Sequence, residues 1–129
     1  MGESTGRTAA RGGDRPELVW AGLLTLLGAV LCFVPLGEVL GFEFSLVLSL
    51  AAGLAGAHLA AVRGSWAVGS GVVLRLLLLP LALITLNTLR VKNCNYWDGF
   101  RFYLLLAGVA AVVGGGWGRA AGLLLGKPG

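Results

Sequence analysis

Four apolar runs of membrane-spanning length dominate this sequence. A helix needs about 20 apolar residues to cross about 30 Å of hydrocarbon. The runs predict transmembrane helices over residues 18–36, 44–62, 72–89 and 99–117, and the third of them could begin as early as Trp66. The links between the runs are short, so consecutive helices are expected to be antiparallel. The predicted fold class is therefore an all-α integral membrane protein, an up-down-up-down bundle of about four helices.

The composition excludes several classes of soluble protein. Hydrophobic residues make up 57% of the chain, charged residues 12%, and the mean hydropathy is +0.85. A soluble domain carries roughly 25% charged residues, so a soluble enzyme and a disordered protein are both poor fits. The net charge of +4 does not point to nucleic acid, because the basic residues lie at the ends of apolar runs. The lipid bilayer is the first expected partner, and no nucleic acid is expected.

The segments at the two ends of the chain are predicted to lie outside the bundle. Residues 1–17 lack apolar periodicity and are predicted to form a disordered tail, residues 18–126 the bundle, and residues 127–129 a short C-terminal tail. The first run is longer than the apolar core of a signal peptide, which favours an uncleaved helix. Residues 119–126 are too short to span alone. They are interpreted as the end of a long helix or as a surface segment, with a fifth span as the alternative.

The distribution of lysine and arginine predicts the orientation of the chain. Basic residues in short flanking segments favour the cytoplasmic side. With four helices, six of them share one side (Arg7, Arg11, Arg15, Arg63, Arg119, Lys127) and three the other (Arg90, Lys92, Arg101). Both termini are therefore predicted to be cytoplasmic. Arginine outnumbers lysine eight to two, which is typical of GC-rich bacterial genomes, so the predicted location is a bacterial inner membrane.

Arg75 is the first candidate functional residue. An arginine near the centre of a membrane helix costs about 2.5–3.5 kcal/mol on insertion scales and marks a candidate site. One interpretation is contact with an anion or with a buried acid. The other, favoured by the sequence, starts the helix at Val72 after a Gly69–Gly71 turn, so that Arg75 extends its charge to the interface.

His58 and Pro80 are the next candidates. His58 is the only histidine, so a metal site built on several histidines is excluded. A hydrogen bond to a neighbouring helix, or a position facing the interface, is favoured over a proton relay. Pro80 is predicted to kink the third helix, either for packing or as part of the lining of a path.

Small residues recur every four positions in two helices. The helix-packing candidates are Gly53, Ala57, Gly114, Gly118 and Gly122. A spacing of four places small residues on one stripe and lets another backbone approach closely. The predicted packing face points either to another helix of the same chain or to a partner.

The segment from Asn87 to Tyr103 holds the densest polar and aromatic cluster. Turns, an aromatic belt and a helix cap explain most of it, with Asp98 as the predicted N-cap of the fourth helix. Cys94 is the remaining candidate, as an exposed thiol or a lipid-attachment site on the outer face. A disulfide between Cys94 and Cys32 is possible but not favoured.

Three functional classes follow from these features. The favoured one is a small accessory or assembly protein that docks through glycine-rich faces onto other membrane protein subunits or onto copies of itself. The alternative is a permease-like membrane component of a transport system, with Arg75 and Pro80 lining a path. An enzyme acting on lipids is disfavoured, because polar residues within the predicted spans are few and only His58, Arg75 and the acidic residues are available to it. No Walker, HExxH, GxSxG or CxxC motif occurs either. No catalytic, cofactor-binding or metal-binding residues, and no cofactors, are predicted.

Overall fold

Four apolar helical spans make up the fold. The computed structural model describes residues 15–33, 42–90 and 95–126. The first span is α1 (Arg15–Phe33), the second is α2 (Phe42–Arg63), the third runs over Trp66–Asn87 and the fourth over Tyr96–Leu124. Each span is long and apolar enough to cross a membrane. The predicted all-α membrane bundle is confirmed.

The first span begins inside the predicted tail. Arg15, Pro16 and Glu17 form the first turn of α1, where proline fits because its missing N–H has no helical partner there, and where an acidic residue suits the helix dipole. The remainder of the predicted tail, residues 1–14, and the C-terminal residues 127–129 lie outside the described residues.

The link between the second and third spans is only two residues long. Gly64 adopts φ 64° directly after α2, a conformation that glycine adopts without strain and that commonly ends helices. Ser65 caps the next helix, because its Oγ accepts a hydrogen bond from the Val68 amide at 3.5 Å. The third span therefore begins at Trp66, the earlier of the two starts that the sequence allows, and not at Val72.

The third span is broken near its middle into α3 (Trp66–Leu76) and α4 (Leu78–Asn87). Pro80 has no N–H to donate to the carbonyl of Leu76, four residues earlier. Leu77, at the break, is a turn residue. The kink predicted from Pro80 is thus a local interruption of the helical hydrogen bonds.

The fourth span is the longest. It consists of α5 (Tyr96–Tyr103), a π-helical turn (Leu104–Gly108) and α6 (Val109–Leu124), which run on without a link. Its 29 residues exceed the length needed to cross the hydrocarbon. Residues 119–124 are therefore the end of this long helix, and the described residues provide four spans rather than five.

The second span lies at the centre of the bundle. Its buried side chains include Phe44, Leu48, Ala52 and Leu59, and most of its contacts are with the third and fourth spans. The first span is peripheral and buries only Leu24 and Gly28. Its contacts are mainly with α4.

Candidate functional site

Arg75 lies near the middle of the third span. It is the tenth of the 22 residues of the span. At 1.5 Å per residue, Arg75 is about 14 Å from Trp66 and about 18 Å from Asn87 along the helix axis. Since the hydrocarbon layer is about 30 Å thick, this position is close to the bilayer centre. The first-turn position that would bring Arg75 to the interface is not what the structure shows.

The fourth span gives an independent measure of the same depth. Trp97 and Trp117 are 70% and 73% exposed, and tryptophan is enriched at membrane interfaces. They are 20 residues apart, or about 30 Å along a helix, which matches the thickness of the hydrocarbon.

Contacts between the third and fourth spans show which part of the fourth span lies at the level of Arg75. A side chain added at Gly108 would meet Leu74 at 3.8 Å, and the Tyr103 hydroxyl donates a hydrogen bond to the Leu77 carbonyl at 2.6 Å. The midpoint between Trp97 and Trp117 falls between Gly108 and Tyr103. The two measures therefore agree that Arg75 lies near the bilayer centre.

Arg75 is exposed on the outside of the bundle. Among the described residues, no side chain forms an ion pair or a hydrogen bond with it. The acidic residues of the described spans all lie near helix ends, namely Glu17 and Glu43 in first turns and Asp98 in the first turn of α5. The sequence has no acidic residue between positions 44 and 97. The charge of Arg75 is thus uncompensated within this part of the chain, at a depth where insertion costs about 2.5–3.5 kcal/mol.

The surface around Arg75 is apolar and open to close approach. Gly71, one turn before Arg75, has no atom within 4 Å of the position that a Cβ would occupy. Val68, two turns before it, is 48% exposed, and Leu78, just beyond it, is 60% exposed. Residues three, four and seven apart share one face of a helix. We call the surface formed by Val68, Gly71, Arg75 and Leu78 the outward face of the third span.

His58 is engaged with the first span. The indole Nε1 of Trp20 donates a hydrogen bond to Nδ1 of His58 at 3.0 Å. One turn further along, Arg63 forms an ion pair with Glu17 at 2.5 Å. Two polar pairs thus tie the first span to the second at their shared end. The interpretation of His58 as hydrogen-bonded to a neighbouring helix matches this geometry.

Pro80 serves packing between spans. It is fully buried against Gly28 of the first span, where an added Cβ would lie 2.7 Å from Cβ of Pro80. Arg75 is exposed and Pro80 is buried, so the two residues do not line a common path within the described part of the chain.

The glycine-rich faces of the second and fourth spans cover each other. A Cβ on Gly114 would lie 2.1 Å from the Gly53 carbonyl oxygen, and a Cβ on Gly118 would lie 2.0 Å from the Ala57 carbonyl oxygen. The four-residue spacing predicted packing either on another helix of the same chain or on a partner, and these contacts are with another helix of the same chain. Gly122, one turn further along, has nothing within 4 Å of its Cβ position.

Asp98 is not the N-cap of the fourth span. The helix begins at Tyr96, so Asn95 occupies the cap position and Asp98 lies three residues later in the first turn. The Asn95 side-chain amide donates a hydrogen bond to the Asp98 carboxylate, which also lies 3.9 Å from Arg101. An acidic residue in the first turn still suits the helix dipole. Cys94 lies outside the described residues, and Cys32 is a free, half-buried thiol.

Among the polar contacts between spans that the sequence did not predict are Glu17–Arg63, Trp20–His58 and Tyr103–Leu77. The Glu17–Arg63 pair could have been found, because an antiparallel hairpin brings the start of the first span to the end of the second. The Trp20–His58 pair follows from the same reasoning. The Tyr103–Leu77 hydrogen bond has no signal in the sequence, because it depends on how the third and fourth spans are rotated about their axes. Within the described ranges, no three His, Cys, Asp or Glu side chains converge as metal ligands would.

The chain matches no model of a known protein family, no curated protein and no solved structure.

Proposed function

We propose that this chain is an accessory or assembly component of a larger membrane protein complex, which it binds laterally through the outward face of the third span. The observation that carries the proposal is Arg75, an exposed cation near the bilayer centre with no counter-charge among the described residues. Ionisable side chains inside membranes almost always pair with one another or face a bundle interior. A lateral partner would supply that environment.

The proposed docking surface is not one of the glycine-rich faces, because those faces cover each other within the chain. Gly53, Ala57, Gly114 and Gly118 are engaged in the contact between the second and fourth spans, so they are not free to receive another helix. Gly71, beside Arg75, is open. Close approach of a partner helix is therefore supported at the third span.

The permease-like alternative has weaker support. A path through this chain lined by Arg75 and Pro80 requires both side chains on one cavity, whereas Arg75 is exposed and Pro80 is packed against Gly28. Arg75 would line a path only together with a partner, which again requires the lateral contact.

The proposed setting is a bacterial inner membrane with the N-terminus in the cytoplasm, on the six-to-three excess of basic residues. In intact cells, a membrane-impermeant maleimide should then label Cys94, which lies between the third and fourth spans. A Cys94→Ala variant, which keeps Cys32 inside the first span, is the matched control and should not be labelled. Labelling of Cys94 only after permeabilisation would reverse the orientation.

Site-specific photocrosslinking in cells tests the docking. A benzophenone amino acid at Leu78 should give an adduct with one membrane protein, and the adduct should be lost when Arg75→Leu is added at equal expression. Leu54 is the matched control, because it is 66% exposed and lies near the middle of the second span. Equal adducts from Leu78 and Leu54, or a Leu78 adduct that is indifferent to Arg75→Leu, would contradict the proposal.

A further inference from the structure

We infer that the partner presents an Asp or Glu carboxylate on a transmembrane helix at the bilayer centre, directly opposite Arg75. This inference rests on the proposed lateral docking and names the chemistry of the partner. A guanidinium group binds a carboxylate through two parallel hydrogen bonds, and it does so most strongly where water is absent. The position of Arg75 fixes the depth of the acid.

A second copy of this chain does not supply that acid. The six acidic residues are Glu3, Asp14, Glu17, Glu38, Glu43 and Asp98. The described ones lie in first turns of helices, and the others precede the first span or fall between the first two. Among the described residues, no acidic side chain belongs to the central part of a span. Charge complementarity therefore points to a different membrane protein.

Lipid headgroups are also a poor match for Arg75. Long basic side chains reach the interface when they lie near a helix end. Arg75 is about 14 Å along the axis from Trp66, farther than one side chain extends, and the nearer half of the span carries no break. A carboxylate at the same depth neutralises the guanidinium group without requiring the Arg75 side chain to reach the interface.

The surface beside Arg75 has the shape for a helix to pack on it. Gly71 lies one turn away on the same face and is open, while Val68 and Leu78 extend the apolar surface above and below the charge. Small residues permit close backbone approach between membrane helices. A partner helix can thus bring its acid within hydrogen-bond distance of Arg75.

A designed transmembrane peptide tests this chemistry with the full chain in phosphatidylcholine vesicles. The probe is a lysine-flanked polyleucine helix with one central Asp, labelled with an acceptor, and the chain carries a donor fluorophore at Cys94 in a Cys32→Ala background. Energy transfer should show association at a peptide density at least tenfold lower for the chain with Arg75 than for Arg75→Leu. The same peptide with Leu in place of Asp should not discriminate between the two.

The double variant Val68→Arg/Arg75→Leu is the matched control. It keeps the charge and the face but moves the arginine two turns toward the end of the helix, so it should behave like Arg75→Leu. Equal association of the central-Asp peptide with all three chains, or no association with any, would overturn the inference.

The peptide experiment and the photocrosslinking experiment distinguish failure of the inferred carboxylate from failure of the proposed docking. If the central-Asp peptide associates equally with all three chains while the Leu78 adduct in cells still depends on Arg75, the partner's carboxylate is refuted and the lateral docking stands. Selective peptide association without any such adduct supports the chemistry of Arg75 and refutes the docking in cells.

Discussion

Gly118→Ala is expected to destabilise the bundle, whereas Gly122→Ala on the same helix is not. A Cβ at position 118 would lie 2.0 Å from the Ala57 carbonyl oxygen. Ordinary van der Waals contact begins at 3.4 Å, so the second and fourth spans must separate by about 1.4 Å. The obstacle is backbone, which a change of side-chain rotamer does not relieve.

The magnitude follows from a comparison of the two alanine variants. Both substitutions gain about 0.5–1 kcal/mol of helix propensity, and only the one at Gly118 meets another backbone. Overpacking of a close contact costs typically about 1–3 kcal/mol. Gly118→Ala should therefore have a free energy of unfolding about 1–3 kcal/mol below that of Gly122→Ala.

Reversible unfolding in mixed micelles with increasing dodecyl sulfate, followed by tryptophan fluorescence, measures this difference. The double variant Gly114→Ala/Gly118→Ala should lose less stability than the sum of the single losses, because one separation of the helices relieves both clashes. If Gly118→Ala and Gly122→Ala agree within about 0.5 kcal/mol, the packing of the second span against the fourth is not as described.

Two further predictions concern the polar contacts between spans. Tyr103→Phe should lower the free energy of unfolding by about 0.6–1.5 kcal/mol, because it removes a buried hydrogen bond to the Leu77 carbonyl at the helix break; an unchanged value in the same micelle titration would argue against the bond. A double-mutant cycle with Glu17→Gln and Arg63→Gln should give a coupling of about 0.2–1 kcal/mol that falls with salt, since both side chains are partly exposed. No coupling at low ionic strength would mean that the pair does not form.

The number of spans was predictable from the sequence, because the length and apolar character of each run are local properties. The start of the third span was not. Gly69, Ser70 and Gly71 resemble a turn, yet they are helical, and Gly69 packs against Ala60 so closely that an added Cβ would lie 2.6 Å from its Cα. Small residues serve both turns and helix crossings, so composition alone does not separate the two.

The candidate site was only partly predictable, for a related reason. Arg75 was identified from its position in an apolar run, but its depth depends on the start at Trp66, and its exposure depends on the rotation of the third span. That rotation is set by tertiary contacts, of Pro80 with Gly28 and of Tyr103 with Leu77. The spacing of Gly114 and Gly118 likewise predicted a packing face without indicating which helix covers it.

The central claim is that Arg75 lies near the bilayer centre on an exposed face, and spin-label depth measurements on the third span test it most directly. Each label is attached to a single cysteine introduced at Val68, Leu78 or Leu86, which are all exposed. Cys32 and Cys94 are replaced by serine in these variants, and Arg75 is unchanged. For a span over Trp66–Asn87, Val68 and Leu86 should lie at nearly equal depths, each about 13–14 Å from the centre, with Leu78 the deepest. A label at Val68 in water, together with one at Leu86 well inside the hydrocarbon, would place Arg75 at the interface and contradict the account.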